Sequence, residues 1–189
     1  MGLGGWIAIA VLVLAVLYLI VVYNRLVRLR ALVREGFSGI TVQLRRRADL
    51  VPNLVSTVEG YATHEREVLN EVTAHRTDPT KASGVQQIAQ ADNAFSHMLG
   101  RLMAVAEAYP DLKADDNFRQ LQDELAEIEE ELQGARRYYN ATVRDLNTRV
   151  QSFPDVLLAG PMGFSEEPFY ADDDASIQTA PRVGFGTQR

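Results

Sequence analysis

The feature that most constrains this chain is an uncharged apolar run near its N-terminus. Seventeen consecutive residues, Trp6 to Val22, carry no charged side chain. With the flanking glycines and Tyr23 the run reaches about 20 residues, or about 30 Å as an α-helix, which matches the hydrocarbon core of a bilayer. A transmembrane helix is therefore predicted. A cleaved signal peptide is disfavoured because residues 1–5 lack the basic side chains of such a signal.

The distribution of arginines predicts the orientation of this anchor. No Lys or Arg precedes the apolar run, whereas several arginines follow it closely. The positive-inside rule then places the following segment in the cytoplasm and leaves a short N-terminus outside. The arginines that follow the run are also expected to contact anionic head groups at the membrane surface. They are Arg25, Arg28, Arg30 and Arg34.

Beyond the anchor, assigned to residues 1–24, the chain has helical periodicity over residues 25–159. The predicted helices cover residues 25–48, 50–76, 82–108 and 116–153. A break or kink is expected near Asp49 to Pro52, because proline fits the first turn of a helix better than its interior. Short loops between amphipathic helices favour an all-α fold, with the transmembrane helix continuing into an antiparallel four-helix bundle.

Local signals refine these helices. Gly36 and Gly39 weaken the first helix, and Asp92 is the one polar interruption in the apolar face of the third. The longest helix has capping candidates in residues 115–117 and an apolar seam from Phe118 to Phe153. The seam alternates steps of three and four, apart from two consecutive fours between Ala135 and Val143. This pattern predicts coiled-coil-like packing with a local unwinding at the paired fours.

The last segment, residues 160–189, loses this periodicity and is rich in Gly, Pro, Ser and Asp. Such a composition is typical of an irregular tail. The tail also contains large apolar residues that suit a segment docked on a protein surface, so docking is the alternative. These candidate docking residues are Phe164, Phe169, Tyr170, Val183 and Phe185.

The residues that usually carry chemistry are scarce. The chain has no cysteine, which excludes disulfides and zinc–thiolate sites. His64-Glu65 lacks the second histidine that a zinc protease motif requires four residues on. No phosphate-binding loop or nucleophile motif is found, and a net charge of -6 argues against nucleic-acid binding. We therefore expect no enzyme activity, metal, cofactor or small-molecule substrate. An enzyme is the least favoured class and would need buried carboxylates in a pocket.

Three adjacent arginines, residues 45–47, precede the predicted break. Because they spread over most of the helix circumference, one of them must approach the bundle. Salt bridges to neighbouring helices are the favoured interpretation. For the acidic residues between 123 and 131 a solvated face is favoured, and pairing with the arginine-rich first helix is the alternative. The alternative is a docking patch for a partner or a second copy. Its candidate residues are Arg45, Arg46, Arg47, Asp49, Asn53, His64 and Glu65.

Several irregular strings in this chain resemble the LemA family of bacterial membrane proteins. The densest match is VQLRRRADLVPNLV at residues 42–55. Further matches are YNRLV at 23–27, GYATHE at 60–65, YPDLKA at 109–114, ARRYYN at 135–140, FP at 153–154, GF at 163–164 and PRVGF at 181–185. The resemblance covers nearly the whole chain. Phe37 departs from it, since the family more often has tryptophan there.

The resemblance implies an anchored antiparallel four-helix bundle without known enzymatic activity, located at the bacterial inner membrane. Members of the family resemble scaffold or accessory proteins, some linked with membrane metalloproteases or envelope stress and one branch with magnetosome formation. The expected function is a non-enzymatic single-pass scaffold that self-assembles through its cytoplasmic domain. The alternative is an adaptor that recruits or regulates a membrane metalloprotease. The expected partners are the lipid bilayer, further copies of the chain and, in the alternative, such a protease.

Overall fold

The computed structural model describes residues 2–62, 70, 72 and 84–170. Every regular element in this part of the chain is a helix, which confirms the all-α prediction. The helices are α1 (Leu3–Tyr61), α2 (Val85–Glu107), α3 (Pro110–Ala114), α4 (Asp116–Gln151) and α5 (Val156–Ala159).

Helix α1 runs for 59 residues without interruption, a length of about 90 Å. Its most apolar 18-residue stretch has a mean hydropathy of 2.9, and only 6% of that stretch is buried within the protein. A core helix would be mostly buried, so this exposed apolar segment fits a membrane span by length and composition. The predicted single apolar N-terminal helix is confirmed.

Of the break or kink predicted near Asp49 to Pro52, the break is wrong, because α1 continues through Pro52 to Tyr61. Proline inside a helix costs about 3 kcal/mol through a lost hydrogen bond and a steric clash. Leu54 and Val58 in the following turns are both completely buried, and burial of such a side chain contributes about 1.5–3 kcal/mol. Pro52 itself is exposed, so its ring does not disturb this packing.

Helix α4 packs antiparallel against α1 along most of its length. Contacts join Tyr61 to Asp115 at one end of the pair and Tyr18 to Asp155 at the other. Helix α2 runs in the same direction as α1, because the residues of its first turns pack near Ile40 and those of its last turns pack near Val58. Residues 50–61 of the helix predicted over 50–76 belong to α1, and of its remainder the structure describes only Ala62, Asn70 and Val72. The four-helix bundle therefore stays a prediction.

The predicted seam of α4 is mostly in the core. Its buried members are Phe118, Ile128, Leu132, Tyr139, Val143 and Leu146. Phe153 was predicted to close this seam, and that is wrong: α4 ends at Gln151, and the side chain of Phe153 is 79% exposed. Pro154 follows directly, and a proline cannot continue a helix without losing a backbone hydrogen bond.

The predicted cap of α4 is confirmed at Asp115. Its carboxylate accepts hydrogen bonds from the backbone N–H groups of Asn117 at 2.8 Å and Phe118 at 3.1 Å. These bonds, first that from Phe118, hold the pKa of Asp115 below its ordinary value. The Tyr61 hydroxyl donates to the same carboxylate at 2.9 Å, which ties the end of α1 to the beginning of α4.

Gly36 marks a close approach of α1 to α4. A Cβ atom at position 36 would lie 3.0 Å from the Tyr139 Cα atom, whereas one at Gly39 would meet Ala135 Cβ at an ordinary 3.8 Å. Alanine raises helix propensity by about 1 kcal/mol at either position. Overpacking at position 36 adds a cost of about 1–3 kcal/mol.

We therefore expect Gly36→Ala to be less stable than Gly39→Ala by about 1–3 kcal/mol. The measurement is urea unfolding of the detergent-solubilised full chain, followed by helical circular dichroism. The two variants gain the same helix propensity, so their difference isolates the close contact. Equal stability would show that the helices separate at Gly36 without cost.

Candidate functional site: a buried charge cluster under the docked tail

The carboxylate of Asp92 in α2 is the centre of a buried polar cluster. Asp92 is 0% exposed. Its Oδ1 atom accepts from Arg47 of α1 at 2.5 Å, and its Oδ2 atom accepts from Arg136 of α4 and, at 2.5 Å, from the Tyr170 hydroxyl. One carboxylate therefore joins three helices and the segment that follows α5. We call these four residues the Asp92 cluster.

The Arg47 side chain makes several contacts besides its ion pair with Asp92. Its guanidinium also donates to Glu129 of α4 at 2.7 Å and to the Ser96 hydroxyl at 3.2 Å. It lies over the Phe95 ring at 4.9 Å from the centroid, a favourable cation–π arrangement. Two cations, Arg47 and Arg136, thus face two carboxylates, and this balance of charge is what makes their burial tolerable.

The chain after α5 lies along α4 in an extended conformation. The Asn147 side chain donates to the carbonyl of Glu167 at 2.9 Å and accepts from its N–H at 2.8 Å. Asn140 forms the same pair of bonds with Tyr170, at 3.1 and 2.9 Å. The two asparagines are seven residues apart and hence on one face of α4. In a β-sheet the backbone N–H and C=O groups of an extended segment would bond to a neighbouring strand. Here the two asparagine side chains supply those hydrogen bonds instead.

Two tyrosines act as neutral donors where the tail meets the helices. Burial, reinforced by the charge of Asp92, raises the pKa of Tyr170 far above its ordinary value. Burial, together with the charge of Glu167, raises the pKa of Tyr139 to about 12, and its hydroxyl donates to the Pro168 carbonyl at 2.8 Å. Both hydroxyls therefore keep their protons at physiological pH.

A second buried carboxylate lies at the Tyr18 end of the α1–α4 pair. Asp155, 1% exposed, forms an ion pair with Arg149 and accepts from the Tyr18 hydroxyl at 3.0 Å. Near it, Phe164 packs edge-on against Tyr23 with ring centroids 5.9 Å apart and lies 4.5 Å below the guanidinium of Arg30. The beginning of the tail is thus fastened to the segment of α1 that follows the apolar run.

The described residues of the predicted docking patch differ in their exposure to solvent. Arg47 does not belong to it, because Arg47 is 1% exposed and bound to Asp92. Arg46 is exposed and pairs with Glu131, so two of the acidic residues of α4 do pair with the first helix. The other exposed members are Arg45, Asp49 and Asn53. His64 and Glu65 lie outside the described residues.

The remaining candidates fall in several environments. Phe164 and Tyr170 are buried, Phe169 is 46% exposed, and Val183 and Phe185 lie outside the described residues. Of the arginines expected at the membrane surface, Arg25, Arg28 and Arg34 are exposed. Arg30 is half-buried and donates to the Gly163 carbonyl at 3.4 Å.

Sequence analysis missed the role of several residues. Asp92 was visible only as a polar interruption of an apolar helix face, which is the signal that marks a buried charge. Arg136, Asn140 and Asn147 carried no comparable signal, since polar residues on a long helix are ordinarily solvated. Within the part of the chain that the structure describes, no three His, Asp or Glu side chains are grouped as metal ligands.

A helical domain built on one exposed apolar helix, with buried ion pairs fixing the helices, fits a membrane-associated helical protein. A family model described as "LemA family" matches residues 36–185, and the chain belongs to the LemA family. The resemblance seen in the sequence is thereby confirmed.

The curated proteins that this chain resembles include magnetosome proteins and a protein named LemA. "Magnetosome protein MamQ 2" of Paramagnetospirillum magneticum is 26% identical over 179 residues, 81% of this chain and 66% of that protein. "Magnetosome protein MamQ" of Magnetospirillum gryphiswaldense is 24% identical, over 89% of this chain and 72% of that protein. "Protein LemA" of Metamycoplasma hominis is 28% identical, over 69% of this chain and 60% of that protein. The chain thus spans just under two thirds of the length of MamQ 2, and none of these names describes an enzyme.

Substitution of Asp92 by asparagine should be strongly destabilising, because it leaves Arg47 and Arg136 buried beside a neutral side chain. Breaking a buried ion pair in this way costs about 3–5 kcal/mol. The measurement is urea unfolding of the full chain in detergent. Asp123→Asn is the control, since it makes the same change at an exposed position of α4 and should leave stability nearly unchanged. A small effect of Asp92→Asn would refute a structural role for the cluster.

Alkaline pH should unfold the protein through its buried tyrosines. Unfolded tyrosines titrate near 10.0, whereas the folded-state pKa values of Tyr139 and Tyr170 are raised, that of Tyr139 to about 12. Stability is therefore complete below pH 10 and falls as pH rises from about 10 to 12, since only the unfolded state releases these protons. Tyr170→Phe should weaken this dependence.

At pH 7 the Tyr170→Phe variant should lose about 1.5–3 kcal/mol, because a hydrogen bond to a charged acceptor is removed. Tyr138→Phe is the matched control, as the Tyr138 side chain is 45% exposed. Unfolding followed from pH 7 to pH 12 measures both effects. An unchanged pH dependence in Tyr170→Phe would mean that Tyr170 does not dock as described.

Proposed function

We propose that this chain is a non-enzymatic, single-pass scaffold or accessory protein that self-assembles at the bacterial inner membrane through a cytoplasmic helical domain. The observation that carries the proposal is the continuity of α1, which passes from the apolar segment into the domain core as one helix. No flexible linker separates the apolar segment from the domain. The orientation of the domain relative to the membrane is then set by the helix itself.

A fixed orientation favours assembly. Helix α4 and the residues that flank it, from Asp115 to Asp155, lie beside α1 between Tyr61 and Tyr18, so the pair is braced along most of the length of α4. Each copy in one membrane would present the same face at the same height. Such preorganisation lowers the entropic cost of association, because less conformational freedom is lost when copies meet.

The buried charges support a structural role. Asp92 is bonded to Arg47, Arg136 and Tyr170. A catalytic carboxylate would instead be expected to face a pocket that admits substrate. The names of the curated relatives, which describe no enzyme, agree with this interpretation.

An adaptor for a membrane metalloprotease is the second candidate. Arg45, Asp49 and Asn53 are exposed and four residues apart along α1, so they lie on one outward face of that helix. A partner helix or domain standing beside the anchor could contact this polar face without disturbing the core. Assembly of identical copies could use the same face, so experiment must separate the two candidates.

The test is extraction of the tagged full chain from its native membranes in a copolymer that retains lipid, followed by mass photometry and mass spectrometry of one sample. A scaffold gives particles of several copies of this chain alone. An adaptor gives a fixed ratio of this chain to a protease. Particles with a single copy and no second protein would contradict both functions.

Arg45→Glu shows whether the outward face of α1 is the contact surface. The charge reversal should dissociate the copies or release the protease, because it places a like charge opposite a surface complementary to arginine. Arg137→Glu makes the same change at an exposed position of α4 and should leave the particle intact. Equal behaviour of the two variants would assign the contact to another face.

A further inference from the structure

The turn that follows α4 and leads into α5, residues 153–157, exposes three apolar side chains. Phe153 is 79% exposed, Val156 46% and Leu157 66%. All three lie within five consecutive residues, on a segment that Asp155 fixes from the inside. Single exposed apolar residues are common on protein surfaces, but a clustered group on a rigid turn marks a contact surface.

The position of this turn relative to the anchor identifies what covers it. Asp155, in the middle of the turn, is bonded to the Tyr18 hydroxyl at 3.0 Å. Tyr18 lies within the apolar run, five residues before Tyr23 and seven before Arg25. At 1.5 Å per residue, Tyr18 is about 7 Å deeper in the bilayer than Tyr23 and about 10 Å deeper than Arg25. The turn is therefore level with the outer part of the acyl chains.

The charges near the turn suit this depth. The carboxylate of Asp155 is 1% exposed and is neutralised by Arg149, so the turn can enter an apolar medium without an uncompensated charge. An open cleft beside it is lined by Arg25, Arg144 and Arg149, together with Asp145. Arginines just above inserted apolar side chains are the arrangement that interfacial membrane elements adopt toward anionic head groups.

We propose that the turn after α4 is a second membrane-contacting element, which inserts Phe153, Val156 and Leu157 into the bilayer interface beside the anchor helix. The protein would then contact the bilayer at two places, through the spanning part of α1 and through the shallowly inserted residues 153–157. This inference goes beyond the proposed function and does not depend on self-assembly. It requires only that the apolar segment of α1 crosses the bilayer.

The absence of cysteine in the chain allows a direct test with single-cysteine variants of the full protein. Leu157→Cys and, separately, Phe153→Cys are labelled with the environment-sensitive dye NBD and reconstituted into vesicles of phosphatidylethanolamine and phosphatidylglycerol. Quenching is measured with a lipid that carries a nitroxide on the upper acyl chain and, separately, with aqueous iodide. Two further variants calibrate the response: Val21→Cys on the anchor and Gln120→Cys at the other end of α4.

The expected result is a blue-shifted emission at positions 153 and 157, with lipid quenching several-fold stronger and iodide quenching several-fold weaker than at position 120. Position 21 should be quenched by the lipid as well. Helical circular dichroism that matches the unsubstituted chain establishes that each variant is folded. The use of two labelled positions in the turn guards against a local disturbance at either one.

Three results would overturn the proposal. Iodide quenching at position 157, with lipid quenching retained at position 21, would place the turn in water. A blue-shifted probe that neither quencher reaches would mean that a protein partner or a second copy covers the turn. Failure of the lipid to quench position 21 would show that α1 does not span the bilayer, and would contradict the proposed function at the same time.

Discussion

The arrangement of the described helices depends on one carboxylate, that of Asp92, placed between two arginines. Removal of an ion from water into a protein interior costs several kcal/mol even after relaxation, so none of these charges would be buried without the others. A shift of α1 by one turn, about 5.4 Å, relative to α2 and α4 would separate Arg47 from Asp92 of α2 and from Glu129 of α4. The apolar seam, which repeats every three or four residues, would tolerate the same shift far better. The ion pairs therefore select one register among those that the seam alone permits.

The described part of the tail, residues 160–170, belongs to this arrangement. Tyr170 contributes the third bond to Asp92, and Asn140 and Asn147 hold the backbone that positions it. The tail can dock only where the helices have already brought Asp92 next to α4. In return, the Tyr170 ring covers Arg136, with the guanidinium 5.3 Å from its centroid, and helps to exclude water from the cluster. Docking of the tail and pairing of the helices thus stabilise each other.

Features that repeat along the chain could be predicted from the sequence, and features that join distant positions could not. The apolar run, the seam of α4 and the Asp115 cap are local or periodic, and the structure contains all three. Pro52 led to a wrong prediction of a helix break because the free-energy cost of a proline in a helix can be read from the local sequence. The burial of Leu54 that offsets this cost depends on neighbouring helices. The burial of one arginine among residues 45–47 followed from their spread around the helix, but its partner 45 positions away could not be identified. Phe153 fitted the seam by spacing, yet α4 ends two residues before it.

The two buried carboxylates use the same chemistry at opposite places along the α1–α4 pair. Asp92 is bonded to arginines and the hydroxyl of Tyr170, and Asp155 is bonded to Arg149 and the hydroxyl of Tyr18. The two fastening points on α1, Tyr18 and Arg47, are separated by about 44 Å of helix. A helix held against its partner at both points cannot tilt in the membrane without carrying the domain with it. In the membrane-anchored arrangement proposed above, the angle between α1 and the bilayer sets the angle of the whole domain, and insertion of residues 153–157 at the level of Tyr18 would fix that angle from the membrane side.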